Sequence, residues 1–235
     1  YYFARMHQER SYVVALKGAG TLEGMYLGTD RGGLSFRSCG DLLLLGGGGH
    51  RTGVSKRAGE GTVCRYGMLR SRAAEIYPGS REVLRWSAQD CMTLDGLPYI
   101  GRFSKRRPYW YVATGFGKWG MTSAMVSARI LTALIGGRDC PEADIFSPER
   151  RFTARAAKEL AVHSAYTVKG LAKHLLPAGN KRIIPNCPHM GCRLEWNPEE
   201  ESYDCPCHGS RFDEEGHLTD GPAQTDCRRR EEKEY

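Results

Sequence analysis

The chain has 235 residues, 40% hydrophobic and 26% charged, a composition that excludes disordered and fibrous proteins and suits one large domain or two small ones. Its longest apolar run, Leu42 to Leu45, falls far short of the ~20 residues a membrane-spanning helix needs, and no cationic-then-apolar leader opens it. Lys+Arg 34 against Asp+Glu 27 leaves +7, but the basic residues are scattered and Arg228-Arg229-Arg230 runs straight into Glu231-Glu232, so no nucleic-acid partner is expected.

In chain order, the first 53 residues alternate β-rich runs with turns. Tyr12 to Lys17, Met25 to Thr29, Leu34 to Arg37 and Asp41 to Leu45 read as strands of an antiparallel sheet, and Gly46-Gly47-Gly48-Gly49 is expected to break it. Met68, Leu69, Ala73, Ala74 and Ile76 have near-helical spacing and stop at Pro78. Val83 to Trp86 and Tyr109 to Thr114 read as strands. Met121 to Ile135 is a helix ended by Gly136-Gly137, and 153–176 is a second helical stretch ended by Pro177 and Gly179. The last 50 residues are loop-rich with short β runs. The chain opens on Tyr1 rather than Met, already close to a strand, so it is expected to be a piece of a longer protein.

The nine cysteines are unevenly placed. Cys39, Cys64, Cys91 and Cys140 are isolated and are expected to be buried thiols. Cys187, Cys192, Cys205 and Cys207 crowd together with His189 and His208, which points to a metal site in a cytoplasmic protein rather than a secreted disulfide scaffold. Two short loops each offer one Cys and one His: Cys187 with His189, and Cys205 with His208. Such a set can hold a diiron cluster with thiolates on one iron and imidazoles on the other. Two Cys and two His would also suit one structural zinc, but a zinc site does not need Gly191, Pro206, Gly209-Ser210 or Gly221-Pro222-Ala223.

The boxes Cys187-Pro188-His189-Met190-Gly191-Cys192 and Cys205-Pro206-Cys207-His208-Gly209-Ser210 resemble those of the Rieske [2Fe-2S] family. Gly221-Pro222-Ala223 is similar to the family's proline loop. The resemblance implies iron ligands Cys187, His189, Cys205 and His208, a bridging disulfide Cys192–Cys207, and Ser210 as a donor to the cluster. Phe212 stands where high-potential members carry a tyrosine, which implies a potential below the top of the family's range. Few residues precede the first ligand loop and no apolar strand closes the chain, so the β base of this module is expected to be incomplete.

Gly115-Phe116-Gly117-Lys118-Trp119-Gly120 fits G-x-G-x-x-G between a strand and a helix. A Rossmann unit would continue into a second apolar strand ending in an acid, and residues 139–146, with a proline and few apolar residues, fit that poorly. A tight turn without ligand is one further reading. Another is a backbone that lies against a flat ring, with the positive helix end at a flavin's N1/C2=O edge.

Asp95-Gly96-Leu97-Pro98-Tyr99-Ile100-Gly101, Val112 to Gly117 with Gly120-Met121, and Phe146-Ser147-Pro148 with Arg150-Arg151-Phe152 resemble segments of the FAD-dependent D-amino-acid oxidase and glycine oxidase group. The resemblance covers about 1–152 and corresponds to the second half of that fold. It implies flavin contacts at Gly115, Gly117, Lys118, Trp119, Gly120, Met121 and Thr122. It assigns no catalytic base.

Together the two resemblances imply an α+β chain: a flavoprotein portion over 1–152, a helical linker over 153–180 and a Rieske domain over 181–235. The implied chemistry is hydride removal from a C–H beside the nitrogen of an amine or amino acid onto flavin N5, then single-electron passage to the cluster and an unidentified redox partner. The alternatives are an electron-transfer module without its own catalysis and a zinc-bearing interaction protein. His50 with Arg51 reads as a turn with solvated charges, Arg37 as a surface residue, and His163 and His174 as surface or interface residues. His217 lies outside the ligand motif.

Overall fold

The computed structural model describes residues 2–30, 32–54, 64–175 and 183–229. The chain divides into two compact units, Glu9–Gln89 with Gly170–Tyr235 and Tyr1–Gln8 with Asp90–Lys169. The fold is α+β.

The first unit is built on a five-stranded sheet. Its strands are β1 (Met6–Lys17), β2 (Tyr26–Leu27), β3 (Ser35–Cys39), β4 (Leu42–Arg51) and, after helix α1 (Arg65–Ile76), β5 (Arg81–Thr93). The order is β2-β3-β4-β1-β5, and β4 pairs antiparallel with β1 and β3. Alternation puts Tyr12, Val14 and Leu16 of β1 on the same face as Leu43 and Leu45 of β4. Tyr66, Leu69 and Ala73, spaced three and four apart on α1, close that core. Each fully buried large side chain stabilises it by roughly 1.5–3 kcal/mol.

The glycine run does not break the sheet: Gly46 to Gly49 lie inside β4. At the first two of them a side chain would press on a neighbour. A Cβ on Gly46 would sit 2.5 Å from Ser35 Oγ, and one on Gly47 would sit 2.7 Å from Leu34 Cδ2. His50 and Arg51 are likewise strand residues, not a turn. The strand read at Val83 to Trp86 extends to 13 residues, because its polar half gave no apolar alternation to read.

The other unit contains β6 (Tyr99–Ser104) and β7 (Arg107–Thr114), paired antiparallel, with α2 (Gly120–Ile135), α3 (Glu142–Phe146) and the first part of α4 (Ala154–His174). Ser123, Ser127, Ile130 and Ala133 make the buried stripe of α2. The region after α2 forms a short helix rather than a second parallel strand, as its proline and acids suggest. Arg150 clasps the turn before β6: it donates to both carboxylate oxygens of Asp95 at 2.7 Å and to the carbonyls of Leu97 and Pro98. His163 on α4 is buried, 3% exposed, so its surface placement is corrected. The helix stop assigned to Pro177 and Gly179, and the chain end beyond Arg229, lie outside the described residues.

The last segment forms a small sheet, β8 (Glu195–Asn197), β9 (Ser202–Asp204), β10 (Arg211–Phe212) and β11 (Leu218–Asp220), each paired to its neighbour. A bridge between Ile183 and Arg229 ties the start of the described segment to its end. Phe212 is fully buried among Ile183, Leu194, Ala223 and Cys227.

Candidate metal centre and glycine loop

The two cysteine–histidine loops share one backbone design. In the first, Cys187 N–H donates to the Cys192 carbonyl at 2.8 Å and Gly191 N–H returns to the Cys187 carbonyl at 2.8 Å. In the second, Cys205 N–H donates to the Ser210 carbonyl at 2.8 Å and Gly209 N–H returns to the Cys205 carbonyl at 3.0 Å. Each return comes from a glycine with φ near +80°, +79° at Gly191 and +86° at Gly209, a conformation most side chains avoid.

Cys192 and Cys207 form a disulfide between the loops. The loops then face one another. The Cys187 and Cys205 thiols hydrogen-bond, which makes Cys187 the thiolate of the pair, pushed down to about 6, and drives Cys205 well up, helped by its burial. The His189 and His208 rings meet edge to face at 5.0 Å, with both Nδ1 atoms buried. Burial lowers the pKa of His189, and burial with the charges of His189 and Arg51 lowers His208 to about 4. Both rings are therefore neutral at neutral pH, the state a metal requires. Two cysteine sulfurs, one of them already a thiolate, and two neutral imidazoles gathered behind a disulfide fit a Rieske cluster by the chemistry of the donor set. Ser210, fully buried, hydrogen-bonds the Cys187 sulfur and accepts from the Ala223 N–H at 3.0 Å, which joins the proline loop to the ligand set.

The ligand loops rest on the five-stranded sheet of the same unit. At the end of β4, Arg51 Nε donates to the Pro206 carbonyl at 3.2 Å. Gln89 of β5 donates to the Gly209 carbonyl at 3.0 Å and accepts from Thr52 Oγ1 at 2.9 Å. Gly53 abuts Pro206 so tightly that a Cβ would lie 2.4 Å from its nitrogen. Arg10 of β1, 1% exposed, bonds Glu200 at 3.2 Å. Glu199 accepts from the Arg65 and Tyr66 N–H groups and so caps α1. Tyr12 OH meets His50 Nε2 at 3.0 Å and accepts from Asn197. The expected shortage of strands under the loops is thus made up by residues 9–89.

On the other side of the disulfide, Gly170 of α4 packs against Cys207, and Arg193 N–H donates to the Gly170 carbonyl at 3.0 Å. His174 bonds the Gly191 carbonyl at 2.8 Å. Arg51, Gly53, Gln89 and Gly170 carried no motif; only the chain's long-range return identifies them. His217 pairs with Asp213 at 2.9 Å, apart from the ligand loops. Arg37 is exposed. Of the four isolated cysteines, Cys39 and Cys64 are exposed and Cys91 and Cys140 half-buried, which corrects their reading as core thiols. Cys64 serves instead as the N-cap of α1.

In the other unit, Gly115 and Gly117 have φ of +76° and +51°, and Lys118 joins them at +71°. The Gly117 N–H is used by the Cys91 carbonyl at 3.1 Å. Trp119 occupies the N-cap of α2 without a side-chain cap bond, which leaves the N–H groups of Gly120, Met121 and Thr122 at an exposed positive helix end. These donors suit the edge of a flavin ring. Gly115 also has a packing reason: a Cβ there would lie 2.3 Å from Thr93 Cγ2.

Residues 3–134 match the family model described as FAD dependent oxidoreductase, and residues 180–230 match the Rieske [2Fe-2S] domain. A Bacillus subtilis (strain 168) protein described as a candidate Rieske 2Fe-2S iron-sulfur protein, YhfW, is 34% identical over 94% of this chain and 50% of its own length. The cytochrome b6-f complex iron-sulfur subunit 2 of Trichormus variabilis is 51% identical over 41 residues, 17% of this chain and 23% of the subunit. The fold resembles glycine oxidase from Geobacillus kaustophilus, TM-score 0.52 at 21% identity, over 63% of this chain and 40% of that one. The chain spans about half the length of the full relative it matches. Among the described residues no helix is long and apolar enough to cross a membrane.

Proposed function

We propose, from the premise that the chain belongs to the FAD dependent oxidoreductase family and carries a Rieske [2Fe-2S] domain, that it oxidises an amine or amino acid and passes the electrons on through the cluster. Bound FAD supplies a hydride acceptor and the cluster a one-electron relay. The thiolates of Cys187 and Cys205 and the imidazoles of His189 and His208 hold the cluster. The Cys192–Cys207 disulfide braces the two loops, and Ser210 directs its hydroxyl at the Cys187 sulfur. Gly115, Gly117, Lys118, Trp119, Gly120, Met121 and Thr122 would border the flavin, and the N–H groups at the start of α2 would offer partial positive charge to the edge of its ring. The cluster segment begins near residue 181, after the linker 153–180 that carries α4, and the protein works in the cytoplasm with a redox partner.

The observation that carries this reading is the matched hydrogen bonding of the two ligand loops across their disulfide. The deciding experiment is iron and acid-labile sulfide analysis with electron paramagnetic resonance of the purified full-length protein. Red-brown material with a rhombic signal after reduction, together with co-purifying yellow flavin, is expected. Colourless protein holding zinc overturns it.

A further inference from the structure

We propose that Arg51 and Gln89, residues of the oxidoreductase portion, are positioning residues that raise the reduction potential of the cluster by binding the backbone of its second ligand loop. The inference rests on the ligand assignment above. Pro206 and Gly209 flank the ligand pair Cys205 and His208, and their carbonyl oxygens are the negative ends of dipoles set beside those ligands. Arg51 Nε donates to the first at 3.2 Å and Gln89 Nε2 to the second at 3.0 Å. Neither donor belongs to the Rieske motif; each reaches back across more than a hundred positions of chain.

One of the donors is itself held. Gln89 is fixed by Thr52 Oγ1, 2.9 Å from its Oε1, and by Arg10 at 3.4 Å. Thr52 is 1% exposed. Gly53 completes the dock, because its φ of +72° and lack of a side chain let the turn touch Pro206. One electron taken up by the site adds one negative charge and releases none. A half-buried guanidinium and a fixed amide, aimed at the loop that carries that charge, stabilise the reduced state more than the oxidised one. The same seam holds the second ligand loop against the sheet.

The test is the midpoint potential of the cluster in the full-length holoprotein, followed by circular dichroism during a redox titration. Arg51→Gln is expected to lower the equilibrium constant for reduction about tenfold, ~59 mV for a one-electron couple. Arg51→Lys keeps the charge and is expected to recover part of that loss, and Gln89→Leu to lower the constant a few-fold. Arg37→Gln, an exposed cation on β3 of the same sheet, is expected to leave the potential where it was. An unchanged potential in Arg51→Gln, or an equal shift in Arg37→Gln, overturns the proposal while the ligand assignment stands. If Arg51→Gln fails to retain iron, Gln89→Leu decides, and an unchanged potential there overturns the proposal. Wild-type protein without a rhombic signal removes the ligand assignment and this inference together.

Discussion

Gly170 and Cys207 touch: a Cβ placed on the helix at 170 would lie 2.8 Å from the Cys207 sulfur and 3.5 Å from Cys192 Cβ. Gly170→Ala gains helix propensity worth ~1 kcal/mol but forces the disulfide to shift, at ~1–3 kcal/mol. We expect net destabilisation, larger for Gly170→Val, with faster reduction of the disulfide by a mild thiol. Thermal melts and thiol titration measure both. A more stable Gly170→Ala protein with an unaltered reduction rate would contradict the packing.

Cys205→Ser and His208→Ala are each expected to abolish iron retention, read by iron analysis and loss of the rhombic signal. Any bound flavin should remain, read from its visible absorbance. Iron retained at the wild-type level in either variant would remove that residue from the ligand set.

Glu200→Gln is expected to destabilise the fold by about 3 kcal/mol, because it leaves the buried Arg10 charge with only the more distant Asp220 carboxylate, at 3.8 Å. Replacing both, Arg10→Met with Glu200→Gln, should recover much of that loss. Urea unfolding of the single and double variants gives the coupling, and strict additivity would show that the pair does not interact.

Asp95 holds Arg150 with both side chains 11% exposed. Burial alone would raise the Asp95 pKa, but the Arg150 hydrogen bond and charge and the Leu97 N–H outweigh it and hold the carboxyl below its usual value. Its folded pKa is below its unfolded one, so the stabilisation is present above the unfolded value and lost as pH falls through the folded value. Asp95→Asn is expected to cost about 2–3 kcal/mol at neutral pH, below the range for fully buried pairs since some solvent remains. The difference from wild type should shrink as pH falls below the unfolded carboxyl value of about 3.9. A pH-independent difference would point to a packing effect instead.

Gly115→Ala is expected to destabilise by about 1–3 kcal/mol through its positive φ and the 2.3 Å approach to Thr93 Cγ2. Thr93→Ser in the same chain should relieve the steric part. Flavin affinity measured in both variants separates this packing role from a role at the ring.

The two Cys–His loops were legible because each is a short box, with Cys187 and His189 or Cys205 and His208 at fixed spacing and a glycine that sets its own turn. The strand-to-helix turn at 115–120 was legible for a similar reason: glycine spacing reports local backbone geometry. Gly46 to Gly49 misled because glycine in a strand signals either a break or a close neighbour, and the neighbours, Ser35 and Leu34, become visible only once the strands pair. The isolated cysteines misled because burial depends on what the rest of the chain brings over them. Arg10, Gln89 and Arg51 had no local signal at all. An arginine in an alternating strand reads as solvated until a carboxylate 190 positions away is found against it.

That long reach has a consequence for descent. Because Arg10, Thr52, Gly53 and Gln89 fit against Glu200, Pro206 and Gly209, the iron-carrying tail is not an interchangeable cassette. Pro206 and Gly209 belong to the shared box and would return with a homologous tail, but one without a carboxylate at 200 would leave Arg10 with only its weaker partner, so changes at that pair are expected to be handed down together.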